Sequence, residues 1–267
     1  MNILYIGDVM GELGIKTVER ILPKLRVEKQ VDFVVAQAEN VTDGKGISRA
    51  DFARLRKAGV DFCTGGNWTI WNDDIFPALS DPNQPIIRPA NYPEGTPGLG
   101  YKYADTPKGR VLVISLLGGI VGRDSDKPTD NPLLVVDKIL RAAEPHVASV
   151  VNLHGDFSSE KVVIGQYLDG RASIVVGDHW HVPTADSRIL PGGTAHQTDV
   201  GMVGALDGSL GVELQSIIPR WRDGKQTRNA LITSGPTQFN ALFATLDDQS
   251  GNAVAIEQIR YVLDGAV

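Results

Sequence analysis

Seven side chains of this 267-residue chain place oxygen or nitrogen donors directly after short apolar runs. They are Asp8 in IGDV, Glu39 and Asn40 in QAEN, Asn67 in GGNW, His154 closing VVNLH, and His179 with His181 in GDHWH. Carboxylate, amide oxygen and imidazole without a thiolate suit Fe, Mn, Zn or Ni better than a soft-metal cluster. A structural zinc site closes with four ligands, often cysteines. Seven ligands without cysteine exceed that need and point to two ions sharing a bridging carboxylate. Two ions ~3.5–4 Å apart clamp a phosphoryl group, activate a water and stabilise the leaving oxygen. The chemistry this set would perform is metal-assisted hydrolysis of a phosphoric ester.

Taken singly, each residue has a plainer reading. Asp8 beside Gly7 can start a turn or cap a helix, Glu39-Asn40 can be a solvated turn, and Asn67 can occupy a left-handed backbone position. His154 can be a satisfied core imidazole, and His179 and His181, pointing the same way in an extended segment, can simply be exposed. Their shared position after strand ends favours the metal reading. In open α/β sheets, sites form in the crevice outside the carboxyl ends of the strands.

The elements that must position them follow from hydrophobic pattern. Asn2–Gly7, Phe33–Ala38, Val60–Thr64, Val147–Leu153 and Ala172–Val176 read as buried strands, with two further β stretches at Tyr101–Ala104 and Arg110–Leu117. Between them, Gly14–Lys29 has helical spacing, with Pro23 expected to kink or divide it. Ser48 is expected to cap a helix through Ala58 that Gly59 ends. Asp73–Leu79, Asn131–Ala143 and Ser158–Leu168 also read as helices. Continuous apolar strands alternating with helices indicate an α/β chain whose sheet is covered on both faces. The segment from Arg88 to Gly100 is a run of turns, and β patterns recur near Arg228–Thr233, Gln238–Leu246 and Ala253–Val262. No linker divides the chain, so residues 1–267 are expected to form one domain.

Composition narrows the function. Lys and Arg total 26 and Asp and Glu 32, a net charge of −6. No Lys/Arg run makes a phosphate-tracking stripe, which argues against a nucleic-acid polymer as partner. A small phosphorylated substrate stays compatible, because bound cations reverse the local charge of a site. No run of ~18 apolar residues indicates a membrane span, and the N-terminus lacks the pattern of a signal peptide. The single cysteine, Cys63, fits a reducing compartment and reads as a buried strand thiol. A cytoplasmic location is expected, which leaves the glycosylation-like matches at Asn40 and Asn67 without meaning.

The motifs IGDV, AEN, GGN, the histidine before SSEK and GDHWHVPTAD resemble the YmdB-type branch of the calcineurin-like metallophosphoesterases. RPANYPEGTPG, DGRAS, RILPGGTA and TDVGM are similar to segments particular to that branch, in continuous register from Met1 to about Gly211. The resemblance implies a four-layer αββα sandwich and a dinuclear centre, most often iron. Carried over by position, Asp8, Glu39, Asn40 and His181 would hold one ion. Glu39, Asn67, His154 and His179 would hold the other. It further implies hydrolysis of small phosphodiesters such as 2′,3′-cyclic nucleotides by a hydroxide bridging the two ions. Some members also regulate bacterial multicellular behaviour, and homo-oligomers are common.

The chain departs from that pattern at the proton donor. The family reads Gly-Asn-His, whereas here Gly66-Asn67-Trp68 stands. An indole N–H donates a hydrogen bond but does not exchange its proton near neutral pH. General acid catalysis contributes ~10²–10⁴-fold, so turnover is expected to be attenuated while metal binding persists. A low-turnover, metal-containing regulatory or nucleotide-binding protein is the competing reading, and Trp68 as a base-stacking or space-filling residue belongs with it. His154-Gly155-Asp156 replaces His-Ala-Glu, and Gly177-Asp178-His179-Trp180-His181 replaces Gly-Thr-His-Thr-His. Asp156 and Asp178 are expected to be solvated turn residues; a replacement acid or a ligand-orienting carboxylate is the alternative for each. His146 and His196 have no assigned role.

Overall fold

A computed structural model describes residues 1–119, 121 and 128–264. The first sheet is assembled from both ends of the chain. Strands β1 (Asn2–Ile6), β3 (Phe33–Gln37) and β4 (Phe62–Thr64) run parallel. Strand β12 (Thr237–Leu246) pairs antiparallel with β1, from Asn2 opposite Thr245 to Ile6 opposite Ala241. Beyond that register, β12 pairs with β11 (Met202–Ala205), which carries the two-residue β2 (Asp8–Val9) at its outer side. The other edge of β12 is covered along its length by β13 (Ala253–Leu263).

The second sheet has the order β5-β6-β7-β8-β10-β9. Its strands are β5 (Tyr101–Thr106), β6 (Gly109–Leu117), β7 (Ala148–His154), β8 (Ile174–Asp178), β9 (Arg188–Ile189) and β10 (Ala195–Gln197). The run β6, β7, β8 and β10 is parallel.

The two sheets face each other across one apolar layer. Ile3, Tyr5, Phe33, Val35 and Leu242 of the first meet Val111, Val113, Val150, Ile174 and Val176 of the second. Helices close the outer faces. Helices α1 (Gly11–Glu28) and α2 (Arg49–Ala58) cover the first sheet through Ile15, Val18, Leu22, Phe52 and Leu55. Helices α4 (Pro132–Ala142) and α5 (Ser158–Tyr167) cover the second through Val136, Ile139 and Ile164. The architecture is therefore a four-layer αββα sandwich. The all-apolar strands are covered on both faces as their pattern requires, but one cover is a second sheet.

Local signals behave as their chemistry dictates. Ser48 Oγ accepts the Asp51 N–H at 3.1 Å, and Gly59, at φ 108°, ends α2 in the left-handed conformation. Asn131 caps α4 in the same way, with Pro132 following at the first helical position. Two expectations are corrected. Helix α1 begins at Gly11 and runs undivided through Pro23; Pro23 and Glu19, whose carbonyl loses its usual helical partner there, both lie on the exposed face. The segment Arg228–Thr233 forms no strand, only an isolated bridge between Leu231 and Val212. Helices α3 (Phe76–Ser80), preceded by a 3-10 turn, and α6 (Leu214–Asp223) complete the set, and α6 carries no signal strong enough to survive Pro219 within it. Among the described residues no helix is long and apolar enough to cross a membrane.

Candidate metal centre

Parallel strands deliver their carboxyl ends to one side of each sheet, and here the two sheets deliver theirs to the same place. Asp8 follows β1, Glu39 and Asn40 follow β3, and Asn67 follows β4; His154 closes β7, and His179 and His181 follow β8. The structure brings all seven together, and six of them are buried, with His179 partly covered.

Glu39 lies between two halves of the cluster. Its Oε1 is 2.9 Å from His154 Nε2 and accepts from Asn40 Nδ2 at 3.3 Å. On one side, Asn40 Nδ2 reaches Asp8 Oδ1 at 3.3 Å and His181 Nε2 at 3.4 Å. On the other, His154 Nε2 is 3.1 Å from Asn67 Oδ1, and the His154 and His179 rings meet edge to face with centroids 4.5 Å apart. Glu39, His154 and His179 offer donor atoms close enough together to hold one ion. A half-turn of the Asn40 amide exchanges its oxygen and nitrogen, so its orientation does not oppose ligation.

Two backbone features allow this density. Gly66 approaches so closely that a Cβ there would lie 2.5 Å from His154 Cδ2 and closer still to Glu39 Oε2. His179 and His181 adopt φ of 101° and 63°, a conformation that costs non-glycine residues energy and persists only where surroundings enforce it. The enforcement is visible. Asp8 Oδ2 accepts the His179 N–H at 2.9 Å, and Asp199 Oδ2 accepts the Trp180 N–H at 3.0 Å. Asp199 is in turn paired with the buried Lys161 ammonium of α5 at 2.7 Å.

The electrostatics fit a cation. Burial, then the neighbouring Asp178 carboxylate, pushes the Asp8 carboxyl well above its usual range. Burial pulls His154 down, but Glu39 and Asp178 outweigh it and hold the imidazole well above the ordinary histidine value. Asp8, Glu39 and Asp178 thus gather in a water-poor place that draws positive charge, here a proton on His154 that a ligated ion would have to displace. Burial lowers His179 and His181 to about 4, leaving them neutral, the state in which imidazole ligates metal.

Asp178 differs from expectation. Asp178 is fully buried. Its Oδ1 lies 2.6 Å from His154 Nδ1, while Oδ2 accepts from Tyr5 Oη at 2.7 Å, Asn152 Nδ2 at 3.1 Å and Gln37 Nε2 at 3.2 Å. It orients the His154 imidazole and is not a solvated turn residue. Asp156 is only partly exposed and sits 3.3 Å from His179 Nε2. Tyr5, Gln37, Asn152, Lys161 and Asp199 join the cluster only through the fold. For Tyr5, Gln37 and Asn152 the available signal was a polar group on a buried strand, as in NILYI, FVVAQ and ASVVNLH; Lys161 on α5 and Asp199 after β10 carry no such signal.

Trp68 donates its backbone N–H to Glu39 Oε2 at 2.7 Å. Its indole packs edge to face on Trp71, with centroids 5.1 Å apart. His146 bonds the Glu144 carbonyl at the surface, and His196 packs beneath Gly165 with Nδ1 on the Val175 carbonyl; neither touches the cluster.

Known proteins share this arrangement of sequence and fold. A family model described as YmdB-like protein matches residues 4–259. A relative from Bacillus subtilis (strain 168), named 2′,3′-cyclic-nucleotide 2′-phosphodiesterase, is 40% identical over 261 residues, covering 97% of this chain and 96% of the relative. The crystal structure of a hypothetical protein from Thermus thermophilus has a TM-score of 0.90 at 35% identity, covering 98% of this chain and 100% of that one. A phosphatase structure from Mycoplasma pneumoniae gives a TM-score of 0.92 at 29% identity, covering 99% and 94%. With matches running through nearly its whole length, the chain belongs to the YmdB-like family of metal-dependent phosphoesterases.

Proposed function

We propose that the chain hydrolyses small phosphodiesters, 2′,3′-cyclic nucleotides among them, at a dinuclear metal centre. In this reading Asp8, Asn40 and His181 hold one ion, Asn67, His154 and His179 hold the other, and Glu39 bridges them. The observation that carries it is the position of Glu39, whose one carboxylate contacts the Asn40 side and the His154 side of the cluster together. The name of the Bacillus subtilis relative supports the substrate class. Iron as the occupant (with manganese, zinc or nickel also suited to the donors) and a homo-oligomeric state belong to this reading through the family resemblance, and a cytoplasmic location through the single cysteine.

Bound ions would supply Lewis-acid stabilisation of charge on the phosphoryl group and an activated water. The residues of the chain do the rest. Asp178 fixes the His154 ring so that Nε2 faces Glu39 and Asn67. Asp8 and Asp199 fix the two N–H groups that carry His179 and Trp180. Trp68 anchors Glu39 through its backbone, but its indole cannot protonate a departing alkoxide. An aryl leaving group, stable as its anion, needs no such proton; a ribose alkoxide does.

The test is a rate comparison on protein of measured metal content, with bis-p-nitrophenyl phosphate and 2′,3′-cyclic AMP as substrates, for wild type and Trp68→His. The expected result is turnover of the aryl ester and a selective gain, of order 10²-fold or more, for the cyclic nucleotide in the variant. Trp68 itself also favours a second reading, a metal-containing nucleotide-binding or regulatory protein of low turnover. Two bound metals with no turnover of either substrate, even with histidine restored, would establish that reading and end the first.

A further inference from the structure

Two loops leave the cluster beside each other, and each carries a feature the hydrolytic chemistry does not use. The loop after Glu39 and Asn40 is held back to it by the Gly46 N–H on the Glu39 carbonyl, and it presents Lys45 to solvent. The loop after Asn67 turns through a Trp71 N–H to Trp68 carbonyl bond of 2.9 Å and presents two indoles, Trp68 and Trp71. Lys45 Nζ stands 4.3 Å from the Trp68 ring centre and 4.7 Å from that of Trp71. No carboxylate lies within ion-pair distance of Lys45 among the described residues. Trp71 is 61% exposed.

Packing does not account for this group. Trp71 is too exposed to be filling space, and the Lys45 ammonium is held over both rings with no carboxylate to hold it there among the described residues. An exposed indole face at Trp71, set edge to face on the partly covered Trp68 and carrying one cation, at the mouth of a site for anionic esters, matches the composition of single-strand nucleotide sites, where aromatic rings take the base.

We propose that Lys45, Trp68 and Trp71 form a nucleobase-binding lip beside the metal centre, selecting phosphoesters that carry a base. It rests on the reading of the centre as a site for small phosphoesters and adds what is recognised beyond the phosphate. The base stacks on an indole, taking the ring face that the Lys45 ammonium covers in its absence. Magnitudes permit that exchange. An exposed cation–π contact is worth a factor of ~2–5 in an equilibrium, whereas a base on an aromatic ring is worth a factor of ~5–150. The released ammonium remains beside the bound anion. Purines, with the larger ring area, should be favoured over pyrimidines.

The test reads binding, apart from turnover. Isothermal titration of metal-loaded protein gives the affinity of adenosine 3′-monophosphate relative to that of inorganic phosphate, for wild type, Trp71→Ala and Trp71→Phe. The lip predicts a ratio above one in wild type, a fall of ~5-fold or more in Trp71→Ala, and partial recovery in Trp71→Phe. Because the ratio cancels damage to the metal site, a uniformly weakened variant does not imitate this result. A wild-type ratio near one, or a ratio that Trp71→Ala leaves unchanged, overturns the lip. Failure of the hydrolysis assay with the ratio still responding would remove the enzymatic reading and leave the lip standing.

Discussion

His154 and Asp178 are register partners at the carboxyl ends of adjacent parallel strands, β7 and β8, and so point to the same face. The Asp178 carboxylate is thereby placed 2.6 Å from His154 Nδ1. Three further donors, Tyr5, Gln37 and Asn152, hold its other oxygen. A charged group this deep is tolerable only because its lone pairs are used.

Replacing Asp178 by Asn keeps the shape but removes the charge that aligns His154. Carboxylates behind ligand histidines are worth ~10–100-fold in metal affinity or activity. Competitive chelator titration should show a loss of that size for Asp178→Asn. Undiminished affinity would mean that His154 is not a ligand, or that its ring needs no orienting partner.

Gly66→Ala should remove metal while leaving the rest of the fold recognisable. The added methyl meets His154 and Glu39, both fully enclosed and unable to swing aside. Overpacking of this kind costs ~1–3 kcal/mol, concentrated at the cluster. Elemental analysis should find the variant metal-poor, with circular dichroism close to wild type. Full metal content in Gly66→Ala would contradict the assigned ligand set.

Lys161→Met tests the support of the His179–His181 turn. The change leaves Asp199 buried without its cation, which typically costs ~3–5 kcal/mol. The urea midpoint should fall accordingly. Metal affinity should fall with it, because Asp199 holds the Trp180 N–H. A wild-type midpoint would show that the backbone N–H groups of Trp180 and Gly201 suffice for this carboxylate.

Burial pushes the Cys63 thiol up to about 12. The folded thiol therefore keeps its proton at pH values where the unfolded one, with a pKa of ~8.5, has lost it. Its contribution to stability is complete below that unfolded value and is lost progressively as pH rises towards 12. Labelling by a thiol-disulfide reagent at a pH of about 8 should wait for unfolding and accelerate with urea. Rapid labelling of native protein would show that β4 opens locally.

The sequence by itself determined the donor types, their places after strand ends, the capped helices and the class of the fold. Those features depend on residue identity and spacing along a few turns of chain. Asp8, Glu39, Asn40, Asn67, His154, His179 and His181 were legible because strands of a parallel sheet must end together. Hydrophobic pattern reports that a strand face is buried and not by what, so the second sheet that covers the strands was legible only through the family resemblance, and the tertiary structure shows it in place. Only the tertiary structure decided the role of Asp178. In sequence that residue is a polar neighbour of His179, and its burial follows from the register of β7 against β8 and from Tyr5 and Gln37 of the opposite sheet. The nearness of Lys45 to Trp68 and Trp71 is of the same kind. Contacts between separate loops are set by how strands align and sheets stack, and no local pattern encodes a distance between them.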